Sequence, residues 1–133
     1  LSLSWRSPVS LKTIPYVLPA IFVLIGIAGY IDALTPDGRL LGLFAVNGPH
    51  NLIHLATGIA AIGSAAMGHH AARRFFQIFA VVYGLVTVLG LFVGQGMLLG
   101  VVAHNHHDIW LHALITAVSA WLGFGTSKRV AHA

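Results

Sequence analysis

Two short stretches concentrate the side chains capable of chemistry. In VNGPHNLIH (46–54), Asn47, His50, Asn51 and His54 fall within eight residues; in NHHDIWLH (105–112), Asn105, Asp108 and His112 do the same. At 100° per residue the first four lie within an arc of about 100°, so they form one polar face of a helix. Asn105, Asp108 and His112 likewise share a face, which Ser119 continues. His54 and His112 each lie about five residues into their helices, or about 8 Å along the axis. Helices that start at one level would bring the two imidazoles together.

Three chemistries fit this set. The first is a hydrogen-bonded clasp. Asp108 could accept from His54 or His112, Asn47 and Asn105 are natural N-caps, and buried polar groups mostly satisfy one another. The second is a metal site. His50 and His54 stand at the i, i+4 spacing that sets two imidazoles on one helix face, and Asp108 and His112 repeat it with a carboxylate. Three histidines and one aspartate could hold a borderline ion such as zinc, iron or copper. Asn51 and Asp32 would then orient the imidazoles. The third is a haem or chlorophyll-type pigment with His54 or His112 as axial ligand, seated on the flank of the bundle.

The remaining polar signals point to less. Tyr83 lies within an apolar run and is expected to hydrogen-bond across the bundle. His106, His107 and Trp110 point away from the shared face, and HNHH (104–107) reads as a solvated loop at least as readily as a metal-binding one. Gly94, Gly96 and Gly100 belong to no strand–helix unit and form no phosphate-binding loop. Gly26, Gly29, Gly84, Gly90, Gly123 and Gly125 read as packing glycines. No serine has a histidine and an acid arranged for acyl transfer, so the chain is expected to be non-catalytic.

The elements that must position these residues follow from composition. Of 133 residues, 57% are hydrophobic and 8% charged, with a mean hydropathy of +0.86. A soluble domain carries about 25% charged residues, so this composition predicts an integral membrane protein. The absence of cysteine excludes disulfides and thiolate metal ligation. The net charge of +4 reads as a topology signal, not as a nucleic-acid footprint. Four runs approach the ~20 apolar residues of a membrane span: Pro15–Leu34, Pro49–Met67, Phe75–Leu99 and His107–Thr126. The fold expected is an all-α four-helix transmembrane bundle over 14–126, with an N-terminal leader (1–13, Trp5 as interface anchor) and a short C-terminal tail (127–133). TPDGR (35–39), GHHAARR (68–74) and GQGMLLGVVAHNH (94–106) read as connections. NGPHNLIH and NHHDIWLH open their helices alike, but the flanking residues do not match, and no true repeat is expected.

Six of the seven basic residues (Arg6, Lys12, Arg73, Arg74, Lys128, Arg129) fall on one side of four spans, and only Arg39 on the other. The positive-inside rule then places both termini in the cytoplasm and the polar layer at the outer leaflet. His69, His70 and His132 fall on the cytoplasmic side.

LGLFAVNGPHNLIHLATGIAAI, ARRFFQIFAVVYGLVTVLGL and NHHDIWLHALITAV together resemble a family of small bacterial four-helix membrane proteins classed as a domain of unknown function. The resemblance covers about residues 15–125. It rests on Asn-x-x-His-Asn-x-x-His in the second helix, the tyrosine of the third, and Asn-x-x-Asp-x-x-x-His in the fourth. It implies a four-helix bundle in a bacterial inner membrane and highlights Asn47, His50, Asn51, His54, Tyr83, Asn105, Asp108 and His112, but it implies no activity. The function expected is that of a small non-catalytic accessory or structural subunit of a larger membrane assembly, whose partners are lipids and other membrane proteins. A metal- or pigment-binding membrane protein using the same cluster is the alternative.

The charge bias makes a direct prediction. Cysteines at Ser2 and Ala133 should resist an impermeant thiol reagent in intact cells, and one at Gly38 should react. The reverse labelling would move the polar layer to the cytoplasmic leaflet.

Overall fold

The computed structural model describes residues 14–125. The leader with Trp5, Arg6 and Lys12, and the tail with Lys128, Arg129 and His132, lie outside the described residues. Four helices dominate: α1 (Ile14–Ala28), α2 (Gly48–Met67), α3 (His69–Val93) and α4 (His106–Ala120). Helix α4 continues as a π-helical turn over Trp121–Gly125. Two of the helical stretches, His69–Val93 and His106–Gly125, are long and apolar enough to cross a membrane.

Two short antiparallel hairpins interrupt the expected all-helical pattern. Strands β1 (Arg39–Leu40) and β2 (Phe44–Ala45) join α1 to α2, and β3 (Gly96–Leu98) and β4 (Val102–His104) join α3 to α4. The run expected to continue to Leu34 therefore ends at Ala28, where the chain turns through two 3₁₀ segments. The run expected to reach Leu99 ends at Val93, and Gly94 closes it with φ +63°. The connection expected at 68–74 shrinks to one residue. Gly68, at φ +123°, separates α2 from α3, and His69–Arg74 are already helical.

The hairpins disclose a repeat that the helix starts alone did not. LLGLFAVN (40–47) and LLGVVAHN (98–105) lie 58 residues apart. Leu41 and Leu99 both take positive φ (54° and 52°), as do Gly42 and Gly100 (73° and 75°). A left-handed leucine is rare, and the same strained pair in both hairpins shows that β1–β2 leading into α2 and β3–β4 leading into α4 share one local design. In this register His54 corresponds to His112, His50 to Asp108, and Asn47 to Asn105.

Small residues set the packing inside the first unit. A Cβ on Gly26 would stand 2.8 Å from the Leu55 nitrogen, and one on Gly58 would stand 2.9 Å from the Pro19 carbonyl and the Val23 nitrogen. Helices α1 and α2 thus meet backbone to backbone, and the buried stripe His50, Asn51, His54, Gly58, Ala61 faces inward. Phe22, Phe79, Tyr83 and Ile115 form the apolar centre, one from each of α1 and α4 and two from α3. At the opposite end from the hairpins, the Gly123 carbonyl accepts from Arg73 Nε and Gln77 Nε2, each at 2.9 Å. Arg73 is therefore bonded to the end of α4 and not held in a loop.

Gly58→Ala should lower the melting temperature by an amount equivalent to about 1–3 kcal/mol, the usual cost of overpacking. Gly63→Ala, where a Cβ meets nothing within 4 Å, should leave stability unchanged or raise it by up to about 1 kcal/mol through helix propensity. Thermal melts of the purified variants check both, and equal melting points would show that the α1–α2 contact is not close-packed.

Candidate functional site

Each functional side chain is placed by a cap. Asn47, extended at φ −149°, starts α2: its Oδ1 accepts the His50 N–H at 3.0 Å. Asn105, at φ −141°, starts α4 with a full capping box. Its Oδ1 accepts the Asp108 N–H at 3.2 Å, and its own N–H donates to Asp108 Oδ2 at 2.9 Å. Capping sets where each helix begins, and one further turn sets His54 and His112.

The two asparagines also bind the hairpins reciprocally. Asn47 Nδ2 donates to the Val101 carbonyl at 2.9 Å, and Asn105 Nδ2 donates to the Leu43 carbonyl at 2.7 Å. Leu43 and Val101 are equivalent positions of the repeat, so each half caps its second helix and holds the other half's hairpin with one side chain. The backbones of Ala45 and Ala103, another equivalent pair, both engage the His50 imidazole.

Below this layer lies a histidine core. His50, His54, His104, Asp108 and His112 are each no more than 3% exposed. The rings of His50 and His54 stack with centroids 4.7 Å apart, His50 and His112 stand 6.0 Å apart, and His104 and His112 5.8 Å. One ring nitrogen from each of His50, His54 and His112 lies within 4.8 Å of the others. The Nδ1 atoms of all three are buried without a hydrogen-bond partner. Phe22 stacks on His54 at 5.1 Å, and Tyr83 meets His112 edge-on at 5.6 Å.

The structure brings together most of the residues singled out in the sequence, with different roles for several. Asp108 does not accept from His54 or His112. Its Oδ2 is committed to the capping box, and its Oδ1 has no hydrogen-bond partner at ordinary geometry, although the Ala45 backbone acts on the carboxylate. Asn51 does not orient an imidazole: its Nδ2 donates to the Gly29 carbonyl at 2.8 Å, tying α2 to the end of α1. Asp32 is exposed in a 3₁₀ turn away from the cluster. Tyr83 engages Thr57 of α2 across the bundle. His106 and His107 are exposed, as expected of the HNHH stretch, but His104 is not. It is among the most buried side chains of the chain, and its Nδ1 lies 2.7 Å from the Gly94 carbonyl. The pairing of His104 with the hairpin was visible only in the repeat register, where it replaces Val46.

Three buried imidazoles, each with one ring nitrogen within 4.8 Å of the others, are a donor set for a borderline divalent ion. Two imidazoles on one tetrahedral zinc have ring centroids about 5 Å apart, given Zn–N of ~2.0–2.1 Å; the observed separations straddle that value. Their nitrogens would stand about 3.3 Å apart on the ion, so the three rings need to close in by about an ångström. Neither His54 nor His112 reaches the surface, so a pigment on the flank gains no axial ligand without opening the bundle.

A family model described as Domain of unknown function (DUF4383) matches residues 12–125, and the chain belongs to that family. No curated protein matches the chain, and no solved structure does.

Asn105→Ala removes both the cap and the bond to Leu43. It should cost about 1 kcal/mol for the cap and a further ~0.5–1 kcal/mol for the lost inter-hairpin hydrogen bond, whose acceptor is exposed. Asn105→Asp keeps the cap but loses the donor and should fall between the two. Chemical or thermal unfolding gives the order, and an aspartate variant as stable as the parent would show that the inter-hairpin bond contributes nothing.

Proposed function

We propose that this member of the DUF4383 family is an integral membrane protein of four spans, with the hairpin end at the outer leaflet, that holds one transition-metal ion through His50, His54 and His112. The observation that carries the metal is the convergence of three buried imidazoles whose Nδ1 atoms have no other partner. A cluster held by hydrogen bonds alone would leave those nitrogens orphaned, at about 1–3 kcal/mol for each buried group. An ion held by one nitrogen of each ring would tie α2 to α4, the task the sequence assigned to a clasp.

Four spans are supported by the two long apolar helices, by the low charge content, and by the large apolar side chains that face outward. On α3, Ile78, Val81, Leu85, Leu91 and Phe92 are all exposed, a surface suited to lipid or to other membrane proteins. The basic residues support the cytoplasmic placement of the opposite end. A non-catalytic accessory role in a larger membrane assembly fits a chain of this size, with the ion as its internal strut. The donor set of neutral imidazoles favours zinc, copper, iron or nickel over magnesium or calcium. Asp108 is the one buried carboxylate; the other acids, Asp32 and Asp37, are exposed. Its negative charge lies in the same core and offsets the ion's.

Metal content of purified protein tests the reading. The parent should carry close to one ion per chain after exposure to zinc, and His112→Asn should carry none. Zinc at a hundredfold excess over its dissociation constant should stabilise the parent by about 2.7 kcal/mol and the variant not at all. A parent that binds no ion, with a melting point equal to that of His112→Asn, would overturn the proposal and leave a hydrogen-bonded core.

A further inference from the structure

We infer that the end of the bundle opposite the hairpins holds one anionic phospholipid, with its phosphate on Arg73 and Arg74 and one acyl chain in the groove between α1 and α4. The inference rests on the membrane reading above and is independent of the metal.

The groove exists because the helices pack in pairs. Helix α1 lies chiefly on α2 and α4 on α3, so α1 and α4 meet only sparsely. Between them runs a groove of about 330 Å³, lined wholly by aliphatic and aromatic side chains. Ile21 and Ile25 of α1 face Leu114 and Val118 of α4 across it, and the buried Phe22 and Ile115 line its inner side. Along α4 and its π-helical turn the groove runs from Leu111 to Leu122, about 16 Å at 1.5 Å per residue. That is about half of a ~30 Å hydrocarbon core. A furrow of this length fits the acyl chain of one leaflet, whereas a partner's spanning helix would call for the full thickness.

Charge at one end of the groove selects the lipid. Leu122 is followed by Gly123, whose carbonyl accepts from Arg73 Nε and Gln77 Nε2, each at 2.9 Å. These two side chains, with His70 and Arg74, line an open recess on the first turns of α3. The chain has three acidic residues, Asp32, Asp37 and Asp108, and all three lie at the hairpin end. No carboxylate side chain is therefore at hand for Arg73 or Arg74, and their counter-charge must come from outside. A guanidinium matches the oxygens of a phosphate. A zwitterionic headgroup would bring an ammonium to the same arginines, where no acid awaits it. Trp121, which lines the same end of the groove and is 54% exposed, suits the headgroup level.

Two lipids with identical chains, dipalmitoyl phosphatidylglycerol and dipalmitoyl phosphatidylcholine, test this on the purified full chain in detergent micelles, with occupancy read by native mass spectrometry. The parent should bind the anionic lipid at least about tenfold more tightly, since each arginine near an anionic headgroup contributes about fivefold. Arg74→Gln should lower affinity for the anionic lipid by about fivefold and leave the zwitterionic one unchanged. Val118→Trp fills the groove and should weaken both lipids while keeping the preference. If that variant does not fold, as judged by helical circular dichroism, Arg74→Gln decides alone, because Arg74 is exposed. Equal affinity of the parent for the two lipids would overturn the site, as would lipid binding that a folded Val118→Trp leaves unaltered. Displacement of the lipid by excess inorganic phosphate would show a free-anion recess instead, and a dimer that excludes lipid would show that a second copy covers the groove; either overturns the inference. A chain that stays dispersed in water without detergent would overturn the membrane reading itself, whereas a detergent-dependent chain without headgroup preference loses only the lipid site.

Discussion

The first N–H groups of a helix have no partner within the helix, and the way two asparagines supply one governs the hairpin end. Asn47 serves α2 and Asn105 serves α4. Because the caps lie three residues before His50 and Asp108, they also fix where those side chains stand, and one turn further fixes His54 and His112. The amide nitrogens left over reach across to Val101 and Leu43 and pin the hairpins. Caps, hairpins and histidine core are consequences of one local problem solved twice by the same residue.

Glycine then decides how close the framework can draw. Gly26 and Gly58 bring α1 onto α2 so that Phe22 can lie flat on His54, and Gly90 lets the hairpin lower His104 into the core. Such backbone-to-backbone approach is open only to residues without a side chain. The result is a buried cluster of imidazoles walled by Phe22 and Tyr83.

Much of this was legible in the sequence because capping and helical spacing are local rules. Asn47 and Asn105 were readable as caps, His50, His54 and His112 as side chains that share one buried level, Gly58 and Ala61 as an inward stripe, and His106 and His107 as outward. What failed was tertiary. Asp108 has the spacing of a ligand, but its oxygen is spent on the capping box of its own helix. Asn51 lies on the ligand face yet bonds the Gly29 carbonyl, a group whose position depends on where α1 ends. His104 looked like part of a polar loop because nothing in HNHH reveals that a hairpin folds it inward. The signal that could have found it was the 58-residue register, which becomes conspicuous through LLGLFAVN and LLGVVAHN and not through the helix starts. The short strands themselves escaped notice because two- and three-residue ladders carry no periodicity.

The single-residue joint at Gly68 bears on molecularity. It is the one residue between α2 and α3, and it holds a conformation that a residue with a side chain resists. The two halves it connects are near copies whose asparagines seek each other's hairpins. Were the joint to straighten, the first half of one chain would find every partner it needs in the second half of another, and the same contacts would close a pair of exchanged chains. The sharp turn that this glycine permits is what lets each half's asparagine reach the other half's hairpin within one polypeptide.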